Sequence, residues 1–363
     1  MAQLSLDTYH DAVSELALPY GQAQLRGFIK QSPEDFRVVE NLGFELAGEG
    51  EHLFLYIRKT GITTPQLIDH LCTIVGITSR QVGYSGLKDR HAVTEQWLSL
   101  HLPGCRDMPH IEDCDEFAVL DRRWHQRKLK IGSHRSNRFE VRVSGIEGSA
   151  DKLSSTVDNI KQSGFANYFG EQRFGARRDN VGQALHYLGN ARKAKRLSRT
   201  RRSLYLSSLR SFLFNKLLSE RIQSAIWLRP MEGDLFMLNG SQSVFNDALS
   251  DEILERYTAL DIHSAISLYG VGESRVQDQA RLIEEQVFGR YDELTTLLRQ
   301  QQLKLSYRSG RALARDLRIA FELDRQEMHI SVELDRGVYL TSLLAQLVSV
   351  DNNNQPQGRE FSA

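Results

Sequence analysis

The sequence predicts an α+β fold in two parts, one domain inserted into another. Strand-like runs occupy both ends of the 363-residue chain, helical runs fill the middle, and the character switches at Gly164 and again near Arg311. A prior of roughly 100–200 residues per domain leads to two domains as well. The outer domain is expected over residues 1–163 and 312–363, and the inserted one over 164–311.

Taken in order, GFIKQ, DFRVVE and HLFLYIRK between Arg26 and Arg58 carry β-branched or aromatic residues and are broken by Pro33 or glycine, so a sheet begins there. Thr63 or Thr64 ahead of Pro65 is a helix start, and LIDHLCTIV carries an apolar stripe to Gly76. Strands resume at AVTEQWLSLHL, EFAVLDRRW and NRFEVRVSGI, followed by a capped helix from about Ala150 to Gln162 that ends at Gly164. FANYFGEQRFGARRDN then brings glycine, aromatic residues and arginine together. Helices are expected from about Leu204 to Ile226, in FNDALSDEILERY and in QDQARLIEEQVFG. DLRIAFELDRQEMHISVELDRG returns to strand alternation, and VYLTSLLAQLVS closes as a helix. The polar tail DNNNQPQGREFSA reads as disordered.

Apolar residues make up 40% and charged residues 25% of the chain, as in soluble globular proteins, and no apolar run approaches the ~20 residues that span a bilayer. The start, MAQLSLDTYHDAVSEL, has neither a basic nor an apolar region of the secretory kind. A cytoplasmic protein without a membrane partner is the expectation. Cys72, Cys105 and Cys114 form no CxxC pair, which argues against a disulfide framework or a zinc site.

Forty-six basic residues balance 46 acidic ones, but they are segregated. Arg122 to Arg142 holds eight Lys or Arg and one acid, and Arg192 to Arg202 holds seven and none. Screening acts over about 8 Å at physiological salt, so such stripes concentrate a polyanion locally even on a neutral protein. Two stripes favour RNA or DNA as partner, with ordinary solvated faces as the alternative.

The densest cluster of special residues is VGYSGLKDRHAVTEQ, Val82 to Gln96, where Gly83 and Gly86 bracket a bend after an apolar strand, at a sheet edge. Asp89 stands there between Lys88 and Arg90, and an ionised carboxylate is the nucleophilic form. From spacing alone, a turn aspartate capping local N–H groups is the favoured account of it. Asp89 and Glu95 as a hydrolytic pair are disfavoured, because six residues of extended strand span about 20 Å. His52 and His91 lack a Ser or Cys nucleophile motif and read as surface or core residues. There is no Walker A sequence, Rossmann glycine fingerprint or His/Cys metal spacing, so neither cofactor nor metal is expected.

GLKDR followed by Ala92, Val93, Thr94 and Gln96 resembles the signature around the catalytic aspartate of the TruD family of tRNA pseudouridine synthases. Lys30, Pro33, Glu34, Asp35, Phe36, Val38 and Glu40 are similar to the family's opening pattern, and Glu51, His52, Lys59, Thr63 and Thr64 follow it. Asn137 and Phe139 in SNRF, NYFGEQRFG from Asn167 to Gly175, and RGVYLTSLL from Arg336 continue the resemblance in order.

The resemblance implies a pseudouridine-synthase catalytic fold, a mixed, largely antiparallel sheet flanked by helices, with an inserted α/β TruD-specific domain. It implies an isomerase that converts uridine to pseudouridine at position thirteen in the D arm of tRNA. Asp89 would attack either the ribose anomeric carbon or carbon 6 of uracil. Phe139 would stack on the uracil, Phe36 would line the pocket, Asn137 would hydrogen-bond within it, and Tyr339 would approach from the C-terminal motif. Without the resemblance, Phe36 and Phe139 read as core, Asn137 as a turn residue and Tyr339 as an ordinary helix residue. Lys30 is the candidate charge partner of Asp89, with Arg336 or another arginine as alternative. Glu171 and Arg173 would pair or meet RNA. Arg122 and Arg123 on the catalytic domain, and Arg173, Arg199, Arg201 and Arg202 on the insert, are the expected RNA contacts. The partner would be tRNA, and the protein a monomer with no obligate protein partner.

Overall fold

The computed structural model describes residue 9 and residues 12–105 and 107–351. The chain divides into two compact units. One contains Gln24–Asp151, Ala314–Gly337 and the described residues from Val348; the other contains the described residues up to Ala23, Lys152–Leu313 and Val338–Leu347.

Ten strands of the first unit form one sheet: β1 (Leu25–Ile29), β2 (Phe36–Asn41), β3 (His52–Thr60), β4 (Val82–Tyr84), β5 (Val93–His101), β6 (Phe117–His125), β7 (Ser136–Gly148), β8 (Arg315–Glu322), β9 (Glu327–Asp335) and β10 (Ser349–Asp351). The main order is β8-β9-β7-β2-β5-β3-β6, with β4 on β5, and β1 between β7 and β10. β1–β10 and β2–β5 run parallel and the other pairs antiparallel.

β9 shows why these residues make strands. Met328, Ile330, Val332 and Leu334 are buried and alternate with partly exposed neighbours, the period of a pleated strand. Helix α1 (Thr64–Val75) follows β3. Thr63 accepts from the Gln66 amide while the Gln66 side chain accepts from Thr63, Pro65 fills the first turn, and Gly76 ends the helix in the left-handed region at φ 71°. Its Leu67, Ile68 and Leu71 pack on Leu53, Leu55 and Ile57 of β3.

The second unit is built around a helix, Arg199–Gln223. Leu209, Phe212 and Leu213 join one apolar cluster and Phe214, Leu217 and Leu218 another, so the helix is buried on more than one side. Val244–Asn246, Leu235–Leu238, Ile262–Leu268 and Ser306–Ser309 form an antiparallel sheet in that order. The buried Arg221 donates two hydrogen bonds of 2.8 Å to Asp234, whose carboxylate also accepts from Ser264 at 2.9 Å.

Several elements differ from expectation. The helix expected from Leu204 begins at Arg199, because the Ser198 hydroxyl accepts from the Arg201 amide and caps it there; it ends at Gln223. FNDALSDEILERY divides into the strand Val244–Asn246 and a helix Asp251–Thr258 capped by Ser250. The helix expected from Ala150 runs over Leu153–Ser163 with no side-chain cap at its start. VYLTSLLAQLVS is helical only over Leu340–Leu347, because Ser349 and Val350 pair with Arg26 and Gly27 of β1. Apart from Asp351, the tail expected to be disordered lies outside the described residues. No helix among the described residues is long and apolar enough to cross a membrane.

Candidate active site

Asp89 lies on the loop between β4 and β5. β5 pairs along one side with β3, and on the other with β2 over Val93–Glu95 and with β4 over Leu98–Leu100. The loop thus leaves β4, an edge strand that pairs only with β5, and enters β5, which is paired on both sides. Gly83 sits within β4, where a Cβ would lie 2.4 Å from the Leu129 carbonyl oxygen and 2.5 Å from Ser99 Oγ; around Gly86 a Cβ would meet only ordinary contacts. The first glycine is a packing requirement.

The loop is held at successive residues. The Lys88 amide donates to Thr64 Oγ1 at 3.0 Å, and Thr64 donates to Gln96. Lys59, with no exposed surface, donates from Nζ to the Asp89 carbonyl and the Ile62 carbonyl, both at 2.7 Å. Burial lowers the pKa of Lys59 from 10.5 to about 8, against the attraction of Asp89. The Asp89 peptide is therefore tied down while its side chain remains 43% exposed.

Neither sequence neighbour of Asp89 is its charge partner. Lys88 Nζ turns inward to Glu40 Oε2 at 2.8 Å, and Arg90 Nε donates to the Gly61 carbonyl. Arg336 donates to the Gly132 carbonyl. The partner is Lys30, whose Nζ stands 2.5 Å from Asp89 Oδ2 and 4.1 Å from the centre of the Phe36 ring. Lys30 has a left-handed backbone, φ 59°, which a side chain with a Cβ adopts at a cost.

Phe36 is buried, and Phe139 on the adjacent strand is half-buried. The two rings meet edge to face with centroids 6.3 Å apart. Asn137 Oδ1 accepts from Lys88 Nζ at 2.6 Å and its Nδ2 lies 3.2 Å from His134 Nε2. His134 Nδ1 in turn meets Ser85 Oγ at 2.6 Å. Burial, with the Lys88 and Arg336 charges, holds His134 below the ordinary imidazole pKa against the pull of Glu40. A neutral ring protonated at Nδ1 satisfies these contacts, accepting from Asn137 and donating to Ser85. The amide of Asn137 keeps one donor and one acceptor position beyond this chain.

Asp89, Lys30, Phe36 and Phe139 are thus linked through direct contacts in the first unit, and Asn137 is tied to the same loop through Lys88. Tyr339 belongs to the second unit, where its hydroxyl accepts from Arg173 at 2.7 and 3.1 Å. Arg173 also donates to Ser207, and Glu171 pairs with Arg178 rather than with Arg173. Arg122 holds the Pro109 and Ile111 carbonyls, and Arg123 pairs with Asp121. Arg199, Arg201 and Arg202 are exposed in the first turn of their helix, with Arg202 donating to Gln301. Glu95 is engaged with Arg37, Arg58 and Tyr56, so it and Asp89 have separate partners.

Lys59, Glu40 and His134 escaped a functional reading from sequence. For Lys59 the available signal is its place on the same face of β3 as Leu53, Leu55 and Ile57. Among the described residues, Glu322, Glu327 and His329 form the only group with metal-ligand separations, but Glu327 already pairs with Arg142 and Glu322 with Arg325.

The family model for tRNA pseudouridine synthase D (TruD) matches residues 18–194 and 183–347. A tRNA pseudouridine synthase D of Methylococcus capsulatus is 39% identical, covering 95% of this chain and 96% of that one. One of Hydrogenovibrio crunogenus is 34% identical over 93% of this chain and 97% of its own. In fold, the chain is similar to the crystal structure of a Methanosarcina mazei protein described as tRNA pseudouridine synthase D, with a TM-score of 0.71 and 18% identity over 93% of this chain and 97% of that one. With its ordered motifs, its mixed sheet and its clamped aspartate loop, the chain belongs to the TruD family of tRNA pseudouridine synthases.

Proposed function

We propose that this protein isomerises uridine to pseudouridine in tRNA, at position thirteen of the D arm, with Asp89 as the nucleophile. The observation that carries this reading is a half-exposed carboxylate on a peptide held rigid by Lys59, paired with Lys30 and backed by the Phe36–Phe139 ring pair. The reaction breaks the N1–C1′ bond, turns the uracil, forms a C5–C1′ bond, and moves one proton from C5 to N1. It needs no oxidation, hydrolysis or energy input. Asp89 would form the transient covalent bond, to C1′ of ribose or C6 of uracil, and Lys30 would hold the carboxylate until the base arrives.

The uridine must leave its stack, at a cost of a few kcal/mol, and stacking on an aromatic side chain returns ~1–3 kcal/mol. In this reading Phe139 stacks on the base, Phe36 backs it, and Asn137 bonds the base edge with its remaining amide positions. In this reading residues 164–311 are the TruD-specific insertion. Arg122, Arg123, Arg173, Arg199, Arg201 and Arg202 contact RNA, Tyr339 of the C-terminal motif binds the substrate, and the protein works as a cytoplasmic monomer.

Transfer RNA tritiated at uridine C5 tests the reading. Wild-type protein is expected to release the label and Asp89→Asn to release none above background. Release by the variant near the wild-type rate would remove Asp89 from the chemistry.

A further inference from the structure

Two side chains beside the candidate nucleophile are exposed in a way that neither core packing nor the proposed chemistry uses. Among the large apolar side chains described in the first unit, Ile131 at 77% and Leu87 at 65% are the most exposed, ahead of Ile74 at 47%. Single exposed leucines are common on soluble proteins. These two occupy loops that are bonded to each other next to one carboxylate.

Leu87 precedes Asp89 by two residues, so their Cα atoms are within about 7.6 Å of each other. Ile131 precedes Gly132, whose amide donates to the Ser85 carbonyl at 2.7 Å and whose carbonyl accepts from Arg336. The His134 amide donates to Ser85 Oγ at 2.7 Å, which fastens the same two loops a second time. On either side of Leu87, the backbone is held by the Gly132–Ser85 bond and by Thr64 at Lys88. Leu87 and Ile131 are therefore presented outward on fixed backbone, and cannot fold back into the core without breaking those bonds. Exposed cations lie close along the chain, Lys130 next to Ile131 and Arg90 three residues after Leu87, so the charge near this apolar pair suits a phosphate backbone.

Drawing a uridine out of its stack leaves a gap between the neighbouring bases, and leucine and isoleucine side chains can fill such gaps as wedges. We propose that Leu87 and Ile131 form an apolar wedge that enters the base stack of the substrate tRNA beside the target uridine and holds open the space it vacates. This rests on the reading of Asp89 as the group that meets the extruded uridine. Both are positioning residues: they touch the RNA that flanks the reacting base and take no part in bond exchange.

The test compares wild-type protein, Leu87→Ala/Ile131→Ala and the conservative Leu87→Met/Ile131→Met on two tritiated substrates. One is the intact tRNA; the other carries an abasic site beside the target uridine, so that the uridine is already unstacked. The alanine pair is expected to lower the saturated turnover on intact tRNA by about tenfold, the rate equivalent of about 1.4 kcal/mol, with KM little changed. It should recover to near the wild-type rate on the abasic substrate, and the methionine pair should stay near wild type on both. A second readout is 2-aminopurine placed next to the target. Its fluorescence should rise on binding Asp89→Asn protein, and rise much less when Leu87→Ala/Ile131→Ala is added. Equal turnover by wild type and the alanine pair on intact tRNA overturns the wedge. So does an equal loss on both substrates, which indicates a general disturbance of the loop. Both side chains are exposed, so an unaltered thermal melt is expected to show that the variants fold. If wild-type protein releases no label from either substrate, the assignment of the reaction itself fails, and the wedge fails with it.

Discussion

Lys59 holds an ammonium where no water reaches it and directs it at two backbone carbonyls, one of them belonging to Asp89. Replacing it by methionine preserves volume and deprives the Ile62 carbonyl and the part-buried Asp89 carbonyl of their donor. Lys59→Met is expected to destabilise the protein by ~2 kcal/mol or more, visible as a lower urea midpoint, and to reduce turnover more than it raises KM. Lys30 offers the opposite combination. Its left-handed backbone costs of order 1–3 kcal/mol, which glycine would relieve while losing some of that gain to a more flexible unfolded chain. Lys30→Gly is therefore expected to melt within a few degrees of wild type and yet lose most label release. A large fall in melting temperature with turnover intact would show that Lys30 is a structural residue.

At the scale of elements, the helix Arg199–Gln223 begins with three exposed arginines, where the partial positive charge of a helix N-terminus disfavours cations. An anionic partner resolves that conflict, which is the physical case for RNA at this end. Replacing Arg199, Arg201 and Arg202 by glutamine is expected to flatten the salt dependence of tRNA binding by roughly 2–3 in log–log slope without lowering helix stability. Binding isotherms at several salt concentrations decide it, and an unchanged slope removes this stripe from the footprint. β4 gives a packing prediction. The Cβ added by Gly83→Ala would sit 2.4 Å from the Leu129 carbonyl, so a loss of ~1–3 kcal/mol is expected, with turnover falling because the same strand leads into the Asp89 loop.

For the whole molecule, the groups of the first unit whose folded pKa is lowered make stability rise with pH. Asp35 and Glu95 are raised by burial but lowered more by their partners, the Ser32 groups with Arg142, and Arg37 with Tyr56 and Arg58. Glu333 is lowered by the Ser136 hydroxyl and Arg315. Folded pKa values below the unfolded ones mean that the unfolded chain binds protons first. This stability is present above about pH 4.3 and is lost as pH falls through the folded values. His134 acts in the same sense below the ordinary imidazole pKa, about 6.5. Lys59 adds a gain between its folded value of about 8 and 10.5, where only the unfolded chain still holds the proton. Urea midpoints are expected to fall steeply below about pH 4, and Glu95→Gln should blunt that fall; an unchanged acid limb would show that Glu95 contributes little.

How much of this was legible follows the range of the forces involved. Thr63, Pro65 and Gly76 mark α1 from the sequence because capping is local, and β9 declares itself through strict alternation. Ser349 and Val350 could not be read as a strand, since their partners, Arg26 and Gly27, lie at the other end of the chain. Asp89 was selected by the order of motifs around it, and Lys30 was named as its candidate partner. The sequence alone determined the family, the α+β class and the residue types at the site. Only the tertiary structure decided which cation meets Asp89, that Lys88 and Arg90 turn away, and that buried Lys59 holds the peptide, because charge pairing and burial depend on distances across strands that spacing along a chain does not encode.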